Sequence, residues 1–157
     1  MALIAYFQSV RSPKLRLETK VGDGANGKVV STVPDKSGKF MEVANDPGST
    51  LHFTLICDND AFARNPAVKV TIVRGLSGLQ AASGWSLGEY GPDGYKSAQW
   101  DGGADYPIHG GWRRSLPPFP LGGLRLTKNE ATNALILLRW VAEGIRRQST
   151  PLIITLR

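Results

Sequence analysis

From Leu51 to Cys57, and again from Ala67 to Val73, apolar and polar residues alternate nearly one for one. Successive side chains of an extended chain point to opposite faces, so this period describes strands half in a core and half in water. The first run sets Leu51, Phe53, Leu55 and Cys57 inward, and the second Val68, Val70 and Ile72. β-Branched residues dominate the second run, as packing on a pleated surface favours. Asp58-Asn59-Asp60 ends the first run, and Pro66 lies in the short connection to the second. A sheet with one apolar face has to bury that face against another layer.

Further strands follow from the same reasoning. Lys14 to Val21 alternates with Leu15, Leu17, Thr19 and Val21 inward, and Gly22 to Gly27 reads as a turn. Lys28 to Val33 is a short strand stopped by Pro34, and Phe40 to Val43 is another short one. The apolar run from Ala134 to Ala142 fits a buried helix or a central strand by periodicity alone. The turn-like residues 143–150 and strand-like residues 151–157 decide for a central strand and a final hairpin partner. Helix is confined to at most one turn at 128–133. Seven or so short strands without helical crossovers predict an all-β fold, an antiparallel β-sandwich, with a small barrel as the alternative. One domain, 1–157, is expected at this length, with 1–13 as a flexible or docking N-terminal segment.

Residues 75–123 differ from the rest. They hold 12 glycines and the stretch Pro117-Pro118-Phe119-Pro120. A structureless loop of that length is rare inside a compact domain. The expectation is therefore a long decorated insertion, with short strands near Gly84–Tyr90 and Leu124–Thr127 and loops between them.

The segment Phe53 to Val70 has a strand, an Asn-containing corner at Asp58-Asn59-Asp60, a small residue with Asn65, and an alternating valine strand. It resembles the central hairpin of immunoglobulin-like accessory domains of bacterial proteins. The Trp140–Gly144 to Leu152–Leu156 hairpin is similar to the closing strands of such domains. The resemblance covers under half of the chain and implies an immunoglobulin-like sandwich with a non-catalytic role. It transfers no functional residues. The 75–123 insertion and the lack of an inter-sheet cysteine pair depart from the family pattern.

Several chemistries find little to stand on. His52 and Cys57 are an odd number of residues apart on one strand, so their side chains face opposite ways and form no local dyad. Cys57 reads as a small core residue, and His109 lies on a loop before Gly110-Gly111. No Gly-x-Ser-x-Gly elbow, phosphate-loop ending or common zinc ligand set is present. No cofactor is implied. Asp93, Asp101 and Asp105 are weak candidates for a hard cation, because glycines between carboxylates allow wrapping; aspartate and glycine also simply make turns.

The aromatic residues carry the strongest functional signal. Trp85, Tyr90, Tyr95, Trp100, Tyr106 and Trp112 fall within 28 residues, with Arg113 and Arg114 directly after them. Such rings stack on sugars, bases or protein partners, or else form a satellite core that pins the insertion to the sheet. The whole excess of positive charge lies in 111–157, where 8 basic residues face Glu130 and Glu143 alone. The reading is a non-catalytic binding or assembly module, contacting a protein partner or a second copy through the insertion. A carbohydrate-binding module is the first alternative, and nucleic-acid binding through the basic C-terminal third the second. A single cysteine and the lack of a basic stretch before the short apolar start point to the cytoplasm without a membrane span.

Overall fold

A computed structural model describes residues 12–23, 34–35, 38–43, 49–77, 79–80, 82–92, 94–120, 125–126 and 133–156. The strands are β1 (Leu15–Asp23), β2 (Pro34–Asp35), β3 (Gly38–Val43), β4 (Ser49–Cys57), β5 (Ala67–Arg74), β6 (Leu76–Ser77) and β7 (Ser86–Gly91). They continue with β8 (Gly94–Asp101), β9 (Arg113–Ser115), β10 (Phe119–Pro120), β11 (Arg125–Leu126), β12 (Asn133–Val141) and β13 (Gln148–Leu156). The fold is an all-β sandwich. One sheet runs β1-β4-β10, with β9 sharing the β10 edge of β4, and the other runs β2-β3-β13-β12-β5-β8-β7. A small third pair joins β6 to β11. Pairing is antiparallel except between β3 and β13, which run parallel.

Alternation decides which way each strand faces. Leu15, Leu17 and Thr19 of β1 and Leu51, Phe53, Leu55 and Cys57 of β4 are buried against Val68, Val70 and Ile72 of β5. From β12 and β13 come Ala134, Ile136, Leu138, Trp140, Leu152 and Ile154. The apolar run of β12 is continuous because it is a central strand, flanked by β13 and β5. Trp140 ties the layers together: its indole Nε1 donates to the Leu15 carbonyl across the core at 3.1 Å. The expected strand at 28–33 and the turn at 128–132 lie outside the described residues, as does the side chain of Val21. Asn133 belongs to β12.

The insertion corrects one expectation. The loops foreseen between Gly84–Tyr90 and Leu124–Thr127 contain β8, an eight-residue strand, together with β9 and β10. Ala98 and Trp100 of β8 point into the core opposite Val70 and Val68 of β5, so part of the insertion extends the large sheet. Phe119 of β10 meets Phe53 and Trp85 edge-on, with centroids 6.3 and 5.4 Å away. Pro117 and Pro118 lack N–H donors, and they stand where the strand along β4 is interrupted between β9 and β10. Among the described residues no helix is long and apolar enough to cross a membrane.

Candidate functional site

The connections β4–β5, β8–β9 and β12–β13 gather at one end of the sandwich, and the β8–β9 loop is stitched to its neighbours there. Ala63 and Ile108 exchange both backbone hydrogen bonds at 2.9 Å, with Ile108 buried as an anchor. Gly111 N–H donates to the Cys57 carbonyl, and Cys57 N–H donates to the Trp112 carbonyl, at 2.9 and 3.1 Å. Trp112 N–H closes a tight turn onto the His109 carbonyl at 2.9 Å. Gly110 sits against the 59–60 backbone so closely that a Cβ there would clash with Asp60 Cα and lie 2.6 Å from the Asn59 carbonyl oxygen. Gly111 takes a φ of +75°, which glycine adopts without a Cβ penalty.

This clamp projects an aromatic ladder into water. Phe62 meets His109 edge-on, with centroids 4.6 Å apart, and His109 meets Trp112 at 4.5 Å. The Arg64 guanidinium caps the ladder, 5.1 Å from the Phe62 centroid. Trp112 is 62% exposed, although indole burial is among the larger apolar gains available to a chain. The corner beneath is fixed by Asn59. Its Oδ1 accepts from Lys14 N–H and Ala61 N–H, and its Nδ2 donates to the Ser12 carbonyl. Cys57 lies under this corner with its thiol directed at the Ala61 carbonyl, 3.4 Å away. Burial pushes the thiol up from its ordinary range, which opposes nucleophilic chemistry there.

The six insertion rings divide into four groups. Trp85 and Trp100 are core residues, 6% and 7% exposed, and Trp85 Nε1 donates to the Pro117 carbonyl at 3.0 Å. Tyr106 is exposed beside Trp100 and beneath Arg114, whose guanidinium lies 4.2 Å from the Tyr106 centroid. Together they border a shallow cavity of about 480 Å³ with Gly84, Asp101 and Pro117. Tyr90 and Tyr95 pair edge-on at 5.0 Å at the far tip of β7–β8. Only Trp112 joins the ladder.

Arg113 and Arg114 do not act as a pair. Arg113 lies opposite Ile56, and Arg114 opposite Leu55, so they leave the strand on opposite faces. Arg113 donates to Glu18 at 2.9 Å and belongs to a surface network with Arg16, Lys20 and Asp58. Burial raises the Glu18 carboxyl, but bonds from Lys20 and Arg113 outweigh it and leave the group below its ordinary value. The Asp58 carboxyl is held down chiefly by the hydrogen bonds of Arg16, at 3.0 and 3.2 Å. A depressed folded-state value stabilises the fold fully above the unfolded value, near pH 4, and this is lost as pH falls through the folded one. Both partners are well exposed, so Asp58→Asn is expected to cost under about 1 kcal/mol at pH 7. The gap from the parent should close below about pH 4 in urea titrations. A gap that widens in acid would contradict the assignment.

The acidic candidates are dispersed. Asp101 ends β8 and accepts from Gln99 Nε2 at 2.8 Å, Asp105 lies in a single 3-10 turn, and Asp93 is outside the described residues. Among the described residues no three His, Cys, Asp or Glu side chains are grouped to hold a metal ion. Sequence reasoning missed Phe62, Arg64 and the contact of His109 with Trp112. The Gly110-Gly111 turn is the local signal that sets His109 and Trp112 side by side. No local signal brings Phe62 to them, because the Ala63–Ile108 bridge is a tertiary event. Neither a model of a known protein family nor a curated protein matches the chain.

Proposed function

We propose that this domain is a non-catalytic recognition module that docks a protein partner on the Phe62–His109–Trp112 ladder. The observation that carries the reading is the exposure of Trp112 on a loop held rigid by backbone hydrogen bonds. A fixed aromatic anchor binds without first being ordered, which is how tryptophan comes to dominate protein interfaces. The Arg64 guanidinium flanks the rings, as arginine often does at the rim of such contacts. An immunoglobulin-like reading of the sandwich points to the same end. On that reading β4, β5, β12 and β13 stand for strands B, C, F and G, and the loops at 58–66 and 142–147 lie where variable domains recognise their targets.

Ring geometry disfavours the sugar alternative. Phe62 and His109 meet at 68°, and His109 and Trp112 at 56°, so the rings spend faces on one another and form a ridge. Sugar stacking needs a flat, open ring face. The test is affinity capture from the source cells with mass spectrometry, alongside a glycan array. Wild type is expected to retain a discrete protein that Trp112→Ala loses at least tenfold, while Tyr90→Ala retains it. A glycan signal abolished by Trp112→Ala would overturn the reading, as would capture indifferent to that change.

A further inference from the structure

On the solvent face of the large sheet, one row of directly opposed residues runs Ser149, Arg139, Lys69, Gln99 and Ser86 across β13, β12, β5, β8 and β7. Two cations stand side by side in it, since Arg139 pairs with Lys69. Like charges directly opposite one another destabilise a sheet. The row floors a cavity of about 250 Å³, bordered by Ala67, Lys69, Gln99, Arg139, Val141 and Arg147. Lys69 has a partner, Glu89, with Nζ 2.6 Å from Oε1. Arg139 and Arg147 make no ion pair among the described residues.

Glu89 reaches Lys69 by an unusual route. The β7–β8 register is unbroken from Gly88↔Ser97 to Tyr90↔Tyr95, so Glu89 stands within the hairpin without a bulge, and its backbone does the turning. Its φ is +57°, a conformation that is strained for a side chain of this kind and that persists where the surroundings require it. The electrostatic neighbours of its carboxylate are Lys69, Arg139 and Lys96. Asp101, at the same end of this face, is turned onto Gln99. Four cations, counting Arg147, therefore share two carboxylates, and the two guanidiniums are left to converge on the cavity.

The geometry points to a phosphate-binding site: Arg139 and Arg147 fork onto a phosphate oxygen pair, Lys69 adds a point charge, and Glu89 is the internal counter-ion. Guanidiniums match tetrahedral oxyanions two bonds at a time, and the local excess of two positive charges equals that of a phosphate dianion. The cavity falls below the roughly 300–1,000 Å³ of sites that enclose drug-sized ligands. Its occupant is therefore inorganic phosphate or the phosphate end of a small monoester. This site is on a sheet face and is independent of the aromatic ladder.

Calorimetry on the full chain in low-salt Tris-chloride tests it, with inorganic phosphate, phenyl phosphate and a single-stranded oligoribonucleotide as separate ligands. Saturable 1:1 binding of phosphate or phenyl phosphate is expected, and the tighter of the two names the source. Arg139→Gln and Arg147→Gln should each weaken it at least tenfold, Glu89→Gln should tighten it severalfold, and Arg113→Gln should leave it unchanged. Without phosphate, Arg139→Gln should melt no lower than the parent, because it removes a like-charge pair; this separates lost binding from lost folding. Non-saturable heats, an equal loss in Arg113→Gln, or binding of the oligoribonucleotide alone would overturn the proposal.

Discussion

Replacing Gly110 with alanine is expected to cost about 3 kcal/mol, the upper part of the range for forced overpacking. The added methyl group would meet Asp60 Cα and the Asn59 carbonyl, which are backbone atoms that cannot rotate away. Relief requires the 109–112 turn to lift from the 57–60 corner, breaking the bonds between Cys57 and Gly111 and Trp112. The loss should be twofold in kind: a lower urea midpoint, and a red-shifted, more quenchable tryptophan emission as Trp112 leaves His109. Gly103 provides the contrast. Its φ is +58° with open space around a built Cβ, so Gly103→Ala should cost only about 1 kcal/mol through backbone strain. Equal effects at the two positions would mean that the turn is not clamped.

Truncating Phe53 is expected to be as damaging by a different mechanism. Phe53 is fully buried and meets Trp85 and Phe119 edge-on, so it joins the insertion to the central strand of the small sheet. Phe53→Ala removes its transfer free energy and leaves a cavity, for a total of about 3–5 kcal/mol. For a chain of this size that lowers the melting temperature by about 10 °C. Calorimetry checks it, with Phe53→Leu expected to lose less because it fills part of the space. A drop of only one or two degrees would show that Trp85 and Phe119 do not depend on β4 for their packing.

The scaffold was legible because its strands are half buried. Alternation at Leu51–Cys57 and Ala67–Val73 marks an inner face that the buried Phe53, Leu55, Val68 and Val70 occupy. The ambiguous run at 134–142 was resolved by its neighbours, since a strand-like tail needs a hairpin partner. β8 was hidden by its setting: Ala98 and Trp100 alternate correctly, but glycine and charged residues on both sides read as loop. The candidate site was harder still. Ring count located the insertion, yet ring count does not say which faces are buried. Trp85 and Trp100 went to the core, and Trp112 found His109 and Phe62. That assembly depends on the Ala63–Ile108 bridge and the Gly110 contact, both made by residues distant in sequence. The charge asymmetry was legible as well, but not its meaning. Arg139 and Arg147 converge on a groove with Lys69, whereas Arg113 is engaged by Glu18.

Photo-crosslinking from the ladder addresses the recognition role most directly. A benzoylphenylalanine placed at position 112, irradiated in the producing cells, should give one discrete adduct with a protein. The same group at position 90, on the Tyr90–Tyr95 tip where Tyr90 is more exposed still, should give none. Equal adducts at both positions, or none at 112 while the fold is retained, would contradict a docking surface built on Phe62, His109 and Trp112.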